Sequence, residues 1–198
     1  MSLELSQQLA PYLPAGTESL CASWLLNDNI QMRISRPRKT KLGDFRPAAR
    51  GLPHRISVNC DLEPVQFLIT FAHEVAHVHT WNQHGRKVAP HGEEWKTNYR
   101  EKLHELLALK VLDAETTHAL QKHSINPKAS SGHDNHLQTL RKPVNGKTLN
   151  DLSPGDIFQI ENKKTFKVIK KLRKYWVCLE PSTKRHYRVL GTLPVVLK

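Results

Sequence analysis

The chain has 198 residues, is 38% apolar and carries a formal charge of +12, from 30 Lys and Arg against 18 Asp and Glu; this suits one medium domain, or one domain with a small appendage. No stretch approaches the roughly 18 consecutive apolar residues of a spanning helix, and the start MSLELSQQLAPYLP lacks the basic and apolar blocks of a signal peptide, so the chain reads as cytoplasmic, or nucleoid-associated if bacterial. Cys21, Cys60 and Cys178 form no C-x2-C pair, which excludes a disulfide scaffold and a cysteine-ligated zinc finger; they read as small buried thiols in a reducing compartment.

SLELSQQLAPYLP is predicted as a short opening helix stopped by Pro11 or Pro14. Thr17–Leu26 is a second, amphipathic helix with Leu20, Trp24 and Leu25 on one side and Thr17 as its cap, although Leu20 stands where a capping box needs an acid. Asn27–Asn29 is a turn. Ile30, Met32 and Ile34 then alternate with polar neighbours, Leu42–Phe45 follows the basic loop PRKTK, and His54–Asn59 puts Ile56 and Val58 on one face. Three short strands ahead of a helix imply a small antiparallel or mixed sheet. Asp61 is the predicted cap of that helix, with Pro64 in its first turn. From Val65, the residues Leu68, Phe71, Val75 and Val78 recur at steps of three and four, the stripe of a core helix running to about Trp81 and stopping near Gly85. Glu93–Leu109 follows, with Trp95, Tyr99, Leu103 and Leu106 on one face, and Asp113–Leu120 is a last short helix.

Residues 122–148 are poor in aliphatic side chains, lack periodicity and read as a linker between a unit 1–121 and a unit 149–198; His123, His133 and His136 there are incidental. Beyond it the period changes to two. Ile157 and Gln159, Phe166 and Val168, Tyr175, Val177 and Leu179, and Tyr187 and Val189 support four strands, with turns at Pro154-Gly155 and Pro181-Ser182-Thr183 and a closing segment Leu193–Leu197. Such a set suits a small all-β, barrel-like module. Charge is unevenly spread: residues 1–120 hold 14 basic and 13 acidic residues, while 121–198 hold 16 and 5, a net of +11. A local +7 arises from Arg33, Arg36, Arg38, Lys39, Lys41, Arg46, Arg50 and Arg55 against Asp44. Fields of this kind attract polyanions, so DNA or another nucleic acid is an expected partner.

The chemistry concentrates in His73-Glu74-Val75-Ala76-His77. Helical positions four apart share a face, where two imidazoles can hold one Zn2+ at about 2.0–2.1 Å each. Glu74, about 100° round the helix from His73, is placed to take the proton of a zinc-polarised water and pass it to a leaving amine. A third protein ligand is needed. The spacing H-E-x-x-H-x-x-G-x-x-H fails, because position 80 is Thr and position 83 is Gln. His91 is favoured, since Pro90 and Gly92 let that helix start approach the metal; His84 and Glu93, Glu94, Glu101 and Glu105 stay open. His79 faces away from His77 and reads as a supporting or solvent-facing residue. The donor for the oxyanion is open among Tyr99, Arg100, His84 and a basic residue of the sheet edge, while Trp95 and Tyr99 read more simply as core.

The run Ser19–Ile30, Lys41-Leu42-Gly43-Asp44-Phe45-Arg46-Pro47, Ile56-Ser57-Val58-Asn59, Phe71–His77 and Pro90-His91-Gly92-Glu93-Glu94-Trp95 together resemble the SprT-like family of zinc metallopeptidases, over residues 15–110. The related eukaryotic protease Spartan cleaves proteins crosslinked to DNA. The resemblance implies an α+β, zincin-like fold, a small three-stranded sheet packed with helices that carry the HExxH segment. It also implies one Zn2+ per chain held by His73, His77 and His91, Glu74 as catalytic base, and endopeptidase action on protein substrates, some on or crosslinked to DNA. One departure stands out. Many relatives continue into a cysteine-bearing zinc ribbon, whereas 149–198 holds only Cys178, so apolar packing must hold that module. Its basic residues, among them Lys163, Lys164, Lys167, Lys170, Lys171, Arg173, Lys174, Lys184, Arg185 and Arg188, are candidates for phosphate contacts, with Tyr175 and Trp176 for stacking. The alternative is a DNA-binding or scaffold protein that keeps zinc for structure.

Overall fold

Pro and Gly punctuation and the change of period divide the chain into elements much as expected. A computed structural model describes residues 2–38, 40–128, 137, 140, 147–160 and 164–198, so Lys39, His133, His136 and Lys163 lie outside the described residues. Contacts separate two compact units, Met1–Asp134 and Asn135–Lys198. Among the described residues no helix is long and apolar enough to cross a membrane.

The first unit opens with α1 (Ser2–Leu9), a 3-10 turn (Ala10–Tyr12) and α2 (Glu18–Asn27). Thr17 precedes α2 but makes no side-chain cap bond; its hydroxyl donates instead to the Pro14 carbonyl at 2.7 Å. β1 (Ile30–Ser35), β2 (Gly43–Arg46) and β3 (His54–Asn59) form a mixed sheet in the order β1-β3-β2, with β1 parallel and β2 antiparallel to β3. The β1–β2 connection must therefore pass over the end of β3 where Asn59 sits. α3 (Pro64–His84) packs on β2 and β3 and on α4 (Glu93–Ala108). The expected cap at Asp61 is corrected. Glu63 occupies that place without a cap bond, because Pro64 is the first helical residue and forces an extended conformation on the residue before it.

α5 (Ala114–Ile125) begins at Asp113, whose carboxylate accepts from the Thr116 amide at 2.8 Å. It runs a turn beyond the expected end at Leu120, so His123 is a buried helical residue rather than an incidental one in a linker. The core of this unit comprises Trp24, Ile56, Val58, Leu68, Phe71, Val75, Trp95, Tyr99, Leu103 and Leu106, the apolar residues read from the sequence, together with Phe67, which that reading did not name. Cys21 and Cys178 are buried thiols, but Cys60 is exposed, contrary to expectation, because it stands just beyond β3 at the turn into α3.

The second unit contains a 3-10 turn (Leu149–Asp151) and β4 (Ile157–Gln159), β5 (Thr165–Lys171), β6 (Tyr175–Glu180), β7 (Arg185–Leu190) and β8 (Val196–Leu197). The strands form one antiparallel sheet in the order β7-β6-β5-β4-β8. Among the described residues β7 and β8 are its two edges and do not pair, so the expected barrel is not closed. Apolar packing does form its core, from Leu149, Leu152, Phe158, Phe166, Val168, Trp176, Cys178 and Val195. Trp176 is buried there and donates from Nε1 to Asn150 Oδ1 at 3.0 Å, so it offers no free stacking face.

Candidate metal centre

α3 is built to be buried on several sides: Phe67, Leu68, Phe71, Ala72, Val75, Ala76 and Val78 are all buried, and Gly85 with φ +61° ends it. On the face left for polar groups, the helical period sets His73 and His77 one turn apart. Their Nε2 atoms lie 3.1 Å from each other. The turn Ala89–Gly92, closed by the Gly92 amide on the Ala89 carbonyl at 3.0 Å, returns His91 to the same point. His91 Nε2 is 3.0 Å from that of His77 and 3.1 Å from that of His73. His91 holds φ +61°, the left-handed region that costs a side-chain-bearing residue on the order of 1 kcal/mol or more. That conformation turns its ring back onto α3.

Three imidazole nitrogens thus converge on one point, and among the described residues they are the only group of this kind. Nitrogens about 2.0–2.1 Å from a tetrahedral zinc lie about 3.3–3.4 Å apart. The observed spacing is a few tenths shorter, so a slight opening of the triangle admits such an ion. The donor set fits: each neutral imidazole has one lone pair to give, and three such donors with an open fourth position suit a divalent zinc-like cation. The cluster can therefore coordinate a metal ion, and the arrangement is that of a zincin-type site.

The surroundings keep the rings neutral. Burial holds His73 well below the ordinary histidine range, with the nearby His77, His91 and His123 adding to it. Burial and His91 lower His77 to about 4, and burial lowers His91. Proton competition for the metal is correspondingly weak. Trp95 floors the cluster, with ring centroids 4.6 Å from His73, 5.5 Å from His77 and 4.7 Å from His91, and Tyr99 lies 5.6 Å from His73. Both are buried core residues as expected, and they also fix the imidazole planes.

Glu74, only 6% exposed, faces β2. A Cβ at Gly43 would collide with its carboxylate. In the metal-free protein, burial and then Asp44 push its carboxyl up to about 8, against the pull of Arg38 and Lys41. Phe45, two residues along β2, stacks on His77 at 6.1 Å and 4°. Neither Gly43 nor Phe45 was singled out from the sequence for chemistry; a glycine inside a strand, a mark of close approach by another group, was the available signal.

The other candidates lie elsewhere. Glu105 accepts from Trp24 Nε1 and Lys102 Nζ, each at 2.6 Å, and Glu93 pairs with Lys96. Glu94, Glu101 and His84 are not in the cluster. His79 bonds Asp28 at 2.8 Å, away from the metal face as its spacing predicts. Among the oxyanion candidates, Arg100 donates to the Ser124 carbonyl and the Tyr99 hydroxyl to that of Ile69. Comparison with family models, with curated proteins and with solved structures finds no match for this chain.

Proposed function

We propose that this chain is a zinc-dependent endopeptidase of SprT-like type that hydrolyses peptide bonds of protein substrates, including proteins on or crosslinked to DNA. The convergence of His73, His77 and His91 next to the buried Glu74 carries this reading. Bound zinc supplies a Lewis acid and brings the pKa of a water toward neutrality. The three imidazoles hold the ion, and Trp95 and Tyr99 shield their rear from water. Glu74 takes a proton from the attacking water at its carboxylate and delivers it to the leaving amine. The burial that raises this carboxyl in the metal-free protein favours its protonated form, the form that returns the proton, while a bound cation favours the ionised form that takes it.

The substrate class is supported by β2. Among the described residues it pairs with β3 alone, and its outer edge, beside Glu74 and His77, offers backbone groups to an extended peptide. Nucleic-acid contact through basic surfaces belongs to the same proposal. What supports it is register in the second unit: Lys167 and His186 flank Leu179, and Lys170 and Arg188 flank Val177, on the sheet face opposite Trp176 and Cys178. Of the two stacking candidates, Tyr175 lies on that face and is 38% exposed, whereas Trp176 is buried. A cytoplasmic protein, nucleoid-associated if bacterial, would meet such substrates.

The test is fragment release from a denatured protein and from a DNA-crosslinked protein by zinc-loaded wild type and E74Q. Cleavage by E74Q is expected to fall by about 10²–10⁴-fold while zinc stays near one per chain. Equal rates for the two proteins overturn the reading.

A further inference from the structure

The chain that leaves β1 crosses the end of β3 and must deliver β2 at a defined height above α3. Asn59, the last residue of β3 and 1% exposed, controls that delivery. Its backbone amide donates to the Leu42 carbonyl at 2.9 Å, and its Nδ2 donates to the carbonyls of Arg38 at 3.3 Å and Lys41 at 3.1 Å. Arg38 closes the same knot from the other side. Its Nε donates to Asn59 Oδ1 at 2.7 Å, Nη1 to Ser57 Oγ at 3.1 Å and Nη2 to the Leu42 carbonyl at 3.4 Å. The next residue after Leu42 is Gly43, opposite Val58 in the ladder.

Gly43 therefore sits where a side chain and Glu74 cannot both fit. A Cβ built there would fall 2.8 Å from both Cγ and Cδ of Glu74 and closer still to Oε1. The least costly relief is rotation of the Glu74 side chain, because the strand backbone is tied down through Asn59 and Arg38. We propose that Gly43, anchored by the Arg38–Asn59 knot, is a positioning residue that sets where the Glu74 carboxylate stands relative to the three histidines. This inference rests on the peptidase reading for its consequence in catalysis, but not for its geometry. Gly43 acts on the base and leaves the metal ligands alone, since no ligand atom lies among the nearest neighbours of its added Cβ.

The experiment is G43A in the zinc-loaded full chain, with kinetics on a denatured protein substrate, zinc content by elemental analysis and a crystal structure. The expected result is zinc near one per chain, kcat lower by about 100-fold with KM changed less than about threefold, and the Glu74 carboxylate displaced by about 1 Å or more. Wild-type kcat, loss of zinc, or Glu74 in its original position overturns the inference. Should G43A fail to fold, G43A/E74A removes the colliding atoms and must recover the fold; failure to recover it also overturns the inference. If wild type itself cleaves nothing, the peptidase reading fails, and the position of Glu74 in the G43A crystal still decides this one.

Discussion

Removing the charge from Glu74 has a consequence that can be measured without substrate or metal. Burial raises its carboxyl from an ordinary 4.5 to about 8, so between those values the folded state holds a proton that the unfolded state has lost. The carboxyl therefore favours folding least where the unfolded chain is ionised: its penalty is absent below pH 4.5, grows as pH rises through the window, and levels off above 8. At pH 7 the window spans about 2.5 pH units, worth about 3 kcal/mol at 1.36 kcal/mol per unit. Glu74→Gln keeps the shape and cannot ionise. Metal-free E74Q should thus melt roughly 6–12 °C above wild type at pH 7 and higher still at pH 8, but by no more than a few degrees at pH 5. The assay is calorimetry of both proteins in chelator across that range; the neighbouring histidines titrate alike in the two and cancel in the difference. Saturating zinc should shrink the gain, because a cation favours the ionised neighbour. An equal shift at pH 5 and pH 8, or a lower melting point for E74Q at pH 8, would refute the burial argument.

H91A should weaken zinc binding by more than about 100-fold in chelator competition, since it removes one of three converging donors; wild-type affinity would reject its ligand role. In E74Q, which has no carboxyl proton to release when zinc binds, zinc affinity should change little from pH 8 down to about 6 and fall only as His77 titrates near 4, whereas a steep loss around pH 6.5 in titration calorimetry would show ordinary, exposed imidazoles. L103A, a truncation of a fully buried side chain on α4, should cost about 2–5 kcal/mol in denaturant unfolding, and a change below 1 kcal/mol would place Leu103 outside the core. Replacing Lys167, Lys170 and Arg188 by Gln should flatten the log–log salt dependence of single-stranded DNA binding by about 2; an unchanged slope would remove that sheet face from the interface.

The part of this protein carried by local periodicity is legible in the chain itself. Steps of three and four place Leu68, Phe71, Val75 and Val78 in the core and hold His73 and His77 together on another face, because a helix imposes both patterns at once. The alternation in β5 likewise separates Phe166 and Val168 from their polar neighbours; in β6 it marks Tyr175, Val177 and Leu179, whereas the sheet buries Trp176 and Cys178 instead, because β6 is apolar on both faces, and alternation does not say whether the sheet closes. What only the tertiary structure decides is set by contacts between distant residues. The parallel pairing of β1 with β3 sends the chain over Asn59 to deliver Gly43 against Glu74, and the left-handed turn at His91 brings the third nitrogen within 3.1 Å of the other two. The depth of Glu74, and with it the acidity of its carboxyl, follows from that packing, since desolvation depends on which atoms surround a group and not on which residues adjoin it in the chain.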